Sequence, residues 1–276
     1  MDQRRVIIRA VGLYGLFMGL HVLLAWDGGR VVRSVERAVG PWLGPVCWTA
    51  YALVAVGSVA VVGLGRTGLT RPPVAGSWRL TLAPLAAGLP FLVLGIHIAP
   101  SDVGPLLVIG VPLIALNEEL FYRGVLLPLL RPLGWRQAVL RSSIAFGASH
   151  LVNVVSGAYP PFVAMQIGAT TAGGVALAAI RLRSGSLWPV LVTHAVIDVI
   201  AIATLTGPAT TSPILVPVLV AWLFANLAMW RYGWQLLAGR DEAVLDRLAA
   251  GIVADPNASV SPLTGASARP YRGKSW

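Results

Sequence analysis

Charge is scarce in this chain of 276 residues: Asp, Glu, Lys and Arg together make up 12%, about half the share of an ordinary soluble domain. With 56% of its residues hydrophobic, the chain is neither a disordered segment nor an ordinary water-soluble enzyme. Cys47 is the only cysteine, which rules out an intramolecular disulfide and any CxxC zinc or redox motif. Lys274 is the only lysine, so Arg supplies nearly all of the 21 basic residues. Eleven acids leave a formal charge of +10. In a soluble domain that surplus suggests nucleic acid. Here most of the Arg residues sit in short stretches between apolar runs, so membrane topology explains them and no nucleic-acid partner is expected. There is no Gly-rich phosphate loop and no internal repeat.

What the chain has instead is a series of apolar segments. Eight run roughly over 6–26, 42–64, 80–98, 104–130, 138–156, 161–180, 186–206 and 213–230, each near the ~20 residues that cross ~30 Å of hydrocarbon. Barrel strands would alternate over about ten residues, so the expected fold is all-α, a polytopic transmembrane bundle of about eight spans. Arg4 and Arg5 precede the first run, but no small-x-small cleavage site follows before Asp27, so this segment reads as a retained helix. Arg residues occupy the N-terminus and the loops after segments two (Arg66, Arg71, Arg79), four (Arg131, Arg136) and six (Arg181, Arg183), and are missing from those after three, five and seven. That alternation predicts a multi-pass protein with both termini in the cytoplasm, and the Arg-rich, Lys-poor usage suggests a high-GC bacterium and so its inner membrane. Arg30, Arg33 and Arg37 in the first outside loop break the pattern. Asp241 to Val253 fits a short amphipathic helix with Val244, Leu245 and Leu248 on one side, and from Pro256 the composition reads as a disordered tail. Four regions follow: 1–79 with two spans, 80–206 as a core, 207–232 as a last span, and 233–276 as a cytoplasmic tail. Gly168, Ala169, Gly173 and Gly174 predict close helix packing.

Of the eleven acids only Glu118, Glu119 and Asp198 fall inside the apolar segments, as do all four histidines, His21, His97, His150 and His194. An ionisable group at that depth costs several kcal/mol on insertion scales. Glu119 and Arg123 are four apart with the acid first, the favourable order for a helical ion pair. Their task is structural. Glu118 points about 100° away and is the carboxylate left for chemistry. Phe146 lies one turn before His150 on the same face, and Gly147, Ala148 and Ser149 between them admit a neighbouring helix. His194 and Asp198 stack at i, i+4. His21 and His97 have no acid at helical spacing and read as packing residues. The structural alternative is that all these charges lock helices together.

Depth brings three of the groups together. Glu118 precedes Arg131 by 13 residues, His150 follows Arg136 by 14, and His194 follows Arg183 by 11, so all three fall at similar depths, Glu118 about 20 Å from the Arg end. Such a set can activate water in two ways. His150 and His194 with a carboxylate could hold a divalent metal, zinc foremost, with an open position for water and Glu118 as ligand or general base. Alternatively Glu118 and His150 deprotonate a water while His194 and a protonated Asp198 hold the oxyanion.

Glu118-Glu119-x-x-x-Arg123, Phe146-x-x-x-His150 and His194-x-x-x-Asp198 resemble, in order and spacing, the three motifs of the CPBP family of intramembrane proteases. That family includes the eukaryotic CAAX prenyl endopeptidase and bacterial abortive-infection-type homologues. The resemblance spans about residues 80–206. It implies hydrolysis of a peptide bond in a membrane-associated protein or peptide, with Glu118 as the water-activating acid and His150 as its partner. His194 and Asp198 would bind metal or stabilise the oxyanion, and Glu119, Arg123 and Phe146 would support the site. Two rivals remain: a non-catalytic membrane scaffold or adaptor, and a proton-coupled transporter.

Overall fold

The computed structural model describes residues 2–27, 43–205 and 212–250. The loop with Arg30, Arg33 and Arg37 and the tail from Pro256 lie outside them. The described residues are all-α, with no strand. In chain order the helices are α1 (Gln3–Asp27), α2 (Leu43–Val62), α3 (Ser77–Leu94), α4 (Pro100–Leu129), α5 (Trp135–Val155), α6 (Pro160–Ser184), α7 (Trp188–Thr204), α8 (Leu215–Leu237) and α9 (Glu242–Ala249).

Six helices are long and apolar enough to cross a membrane: α3 to α6, α8, and α1 over Gln3–Val22. Two further apolar stretches, Ala52–Val62 and α7, are shorter. Among the described residues six of the expected eight segments are full-length candidates, the seventh, α7, has 17 residues, and the second lies on the 20-residue α2. The 17 residues of α7 reach only about 25 Å, less than the ~30 Å of hydrocarbon. Ile8, Leu16, Val93, Val108, Val216 and Phe224 face outward, each more than half exposed. In lipid that exposure carries no hydrophobic penalty.

The centre of the bundle is α6, packed along α5 and α8 and buried without a break from Gly174 to Ser184. Small side chains allow that crowding. A Cβ on Gly233 of α8 would come within 2.8 Å of the backbone of Val175 and Ala176, and one on Gly147 of α5 would strike the Thr171 hydroxyl and stand 2.8 Å from the Ile167 carbonyl oxygen. The expected close packing holds for Ala169, Gly173 and Gly174, but Gly168 has open space around it. Its corner of α6 faces outward, where a Gly is not required. Gly185, at φ 65°, ends α6 in a left-handed turn that a Cβ would disfavour, and α7 starts three residues later with Pro189 in its first turn.

Three helix ends differ from the sequence reading. Asp102, expected in a loop, sits in the first turn of α4, where the partial positive charge of the helix start favours an acid. His97 lies in the connection after α3, its backbone N–H donating to the Ala203 carbonyl over 2.8 Å. His150 is not mid-helix: it stands at a break in α5, between Trp135–Ser149 and Val152–Val155.

Candidate active site

Glu119 and Arg123 begin the site, because they are its most buried charges, 0% and 1% exposed. Arg123 Nη1 donates to Glu119 Oε1 over 2.8 Å, as the i, i+4 spacing predicts. The guanidinium also lies 4.2 Å from the centroid of the Phe146 ring, a cation–π geometry. Gly174 of α6 makes room for it: a Cβ there would be 3.2 Å from Arg123 Nη2 and 3.3 Å from Phe146. The charged residues of α4 are thus seated on α5 by an aromatic face and on α6 by a missing side chain.

Glu119 has a second partner that helix spacing on α4 could not show. His194 Nδ1 is 2.7 Å from Glu119 Oε1. The same oxygen accepts from Arg123, so it belongs to a carboxylate, and Nδ1 must carry the hydrogen. The other nitrogen, Nε2, is then turned to the remaining acids, 3.5 Å from Glu118 Oε2 and 3.4 Å from Asp198 Oδ2. His150 is oriented by the same logic. Its Nδ1 lies 3.0 Å from the Phe146 carbonyl oxygen, which can only accept, so Nδ1 donates and Nε2 is left as the free basic atom. Phe146 packs edge-on against both imidazoles, with centroids 5.3 Å from His150 and 5.9 Å from His194.

Glu118, His150, His194 and Asp198 all line one cavity of about 520 Å³. Glu118 and Asp198 remain about a quarter exposed, in contrast to Glu119. The cavity also contains residues that the sequence reading did not assign to it. His21 and Phe17 come from α1, Tyr122 from α4, and Asn153 and Gln166, hydrogen-bonded to each other at 2.9 Å, from α5 and α6. His21, read as a packing residue, therefore belongs to the cavity wall, its Nδ1 bonded to the Phe17 carbonyl oxygen at 2.8 Å. Its lack of an acid at helical spacing hid it, because its neighbours come from other helices. On the far side of His150, His194 and Asp198 lies a smaller cavity of about 160 Å³, walled by Phe91, Phe162, Trp222 and Met229. The imidazoles and Asp198 form the partition between the larger cavity and this more apolar one.

No group of three His, Cys, Asp or Glu side chains among the described residues is arranged to hold a metal ion. The expected ligand trio of Glu118, His150 and His194 shares the cavity without forming such a group. His194 instead stands between carboxylates at both of its nitrogens.

Residues 100–200 match the family described as type II CAAX prenyl endopeptidase, Rce1-like. The stretch holds every motif residue from Glu118 to Asp198, and it is the family to which the three motifs pointed. No curated protein and no solved structure matches the chain. α1, which supplies Phe17 and His21, and all of α8, which supplies Trp222 and Met229, lie outside the matched stretch.

Proposed function

We propose that this Rce1-like chain is an intramembrane endopeptidase that hydrolyses a peptide bond in a membrane-associated protein or peptide, using a water activated by Glu118 and His150. One observation supports the reading above the others: an acid, two imidazoles each oriented by an acceptor at Nδ1 and a second acid, from three helices, line a single cavity among apolar helices. Charges that served only to lock helices would be expected to be closed off, as Glu119 and Arg123 are.

In this mechanism a water in the larger cavity gives a proton to the Glu118 carboxylate, while its other hydrogen is held by Nε2 of His150. The oxygen attacks the scissile carbonyl. The developing oxyanion is met by Nε2–H of a His194 protonated on both nitrogens, or by a protonated Asp198. Glu119 holds His194 in that orientation from Nδ1. Glu118 then delivers its proton to the leaving amine. The apolar cavity beside the partition accepts a hydrophobic side chain of the substrate, consistent with a peptide drawn from the bilayer. The chemistry needs the side chains alone, and a divalent ion, zinc by donor type, is the competing version.

The test is cleavage of a lipid-anchored peptide library by wild type and Glu118→Gln, with metal analysis of both. Glu118→Gln is expected to fold with an unchanged melting midpoint and to lose about 10²–10⁴-fold in rate, the usual worth of a general base. Equal product from both proteins would remove Glu118 from the mechanism. Activity that survives chelation supports the metal-free route; activity lost to a chelator and restored by zinc overturns it. A scaffold would keep its function in Glu118→Gln, and a transporter would move protons into liposomes without cleaving peptide.

A further inference from the structure

At the Arg-rich end of the bundle another cavity, of about 350 Å³, is lined by Arg66, Arg71, Arg123, Arg131 and Arg181, with Asp246 as the acid facing them among the described residues. Two of these cations are already answered. Arg123 holds Glu119, and Arg131 holds Asp246 through both a side and an end nitrogen. No carboxylate among the described residues pairs with the other three.

Arg181 is the telling one. It is 3% exposed, and its like-charged neighbour is Arg71. Nε donates to the Thr67 carbonyl oxygen and Nη2 to that of Arg66, both over 3.1 Å. Nη1 is buried and has no hydrogen-bond partner among the described residues. Gly68, at φ 78°, lets the turn wrap the guanidinium, since a Cβ there would overlap it. The turn thus uses two carbonyls and a glycine to hold a buried cation whose remaining donor is unpaired. A guanidinium so desolvated is costly unless an anion completes it.

We propose that this cavity binds a phosphate group, with Arg181 Nη1 as the buried donor and Arg66 and Arg71 closing over it. Arg forks match phosphate oxygens, and three unanswered positive charges suit a group of charge −1 to −2. The cavity lies where spans end: Arg181 is three residues from the end of α6, and Arg66 and Arg71 precede α3. That is headgroup depth, so an acidic phospholipid is one source of the phosphate and the free ion is the other. The site does not depend on the protease reading, because binding is measured without cleavage.

The experiment titrates the purified full chain in detergent with short-chain phosphatidylglycerol, with short-chain phosphatidylcholine and with inorganic phosphate. The titrations are repeated for Arg66→Gln/Arg71→Gln and for Arg181→Gln. Phosphatidylglycerol is expected to bind about tenfold tighter than phosphatidylcholine, and each variant to lose about tenfold. Inorganic phosphate binding with the same sensitivity, and no preference between the lipids, would assign the site to the free ion. No saturable binding, or binding that the variants leave unchanged, overturns the proposal. Should Arg181→Gln fail to fold, the double variant decides alone, since Arg66 is exposed and Arg71 only half-buried.

Discussion

Adjacent carboxylates with opposite duties are the main residue-scale feature. Glu119 is sealed between Arg123 and His194 at 2.8 Å and 2.7 Å, whereas Glu118 faces a cavity. Removing Glu119 would strand Arg123 at 1% exposure, and breaking one side of a buried pair costs about 3–5 kcal/mol. Glu119→Ala is therefore expected to lower the melting midpoint sharply, whereas Glu118→Gln leaves it in place. Thermal unfolding of the two variants in the same detergent checks this; equal midpoints would mean that the two acids share one role. Arg123→Lys should behave like Glu119→Ala in kind, because an ammonium cannot both pair with Glu119 and lie flat on Phe146.

Between elements, the contact of α5 with α6 fixes where His150 stands. Gly147 is three residues before it, and a methyl group there would strike Thr171 and the Ile167 carbonyl oxygen. Gly147→Ala is expected to cost about 1–3 kcal/mol of stability by overpacking and to reduce cleavage by shifting His150. The check is a rate measured at a temperature where the variant is folded; full activity there would mean that the close approach does not position the imidazole. The second case is α9. Leu245 and Leu248 are each 1% exposed, and burying a Leu is worth roughly 1.5–3 kcal/mol. The ion pair of Asp246 with Arg131 is a third to a half exposed, in the class worth about 0–1 kcal/mol. Leu245→Ala should therefore release α9 far more than Asp246→Asn, as read by hydrogen exchange over Glu242–Ala249. The hydrogen bond from Arg131, helped by that from Trp135, holds the Asp246 carboxyl below the usual value of 3.8. A depressed acid stabilises fully above its unfolded value and loses that contribution as pH falls through the folded one. Docking of α9 should thus weaken slightly below about pH 4, and Asp246→Asn should remove that dependence.

For the whole molecule, the Arg pattern predicts a cytoplasmic face carrying Arg66, Arg71, Arg131 and Arg181. Single cysteines placed at Arg71 and at Ser101, in a chain with Cys47 replaced, are expected to label from opposite sides of an intact membrane. Labelling from the same side would invert part of the assignment and move the phosphate cavity to the other leaflet.

The apolar runs by themselves determined that the chain is a helical membrane bundle, because a backbone in hydrocarbon must satisfy its own hydrogen bonds. The same runs marked which ionisable groups lie among apolar residues, where they are costly. Spacing along one helix also found Glu119–Arg123, a contact local to its own turn. Only tertiary structure decided the rest. Whether Glu119 also meets His194, whether His21 reaches the cavity, where Gly168 faces and which Arg residues surround a common space all depend on how different helices pack. A pattern read along one chain carries the period of its own helix and holds no record of the side chains set against it.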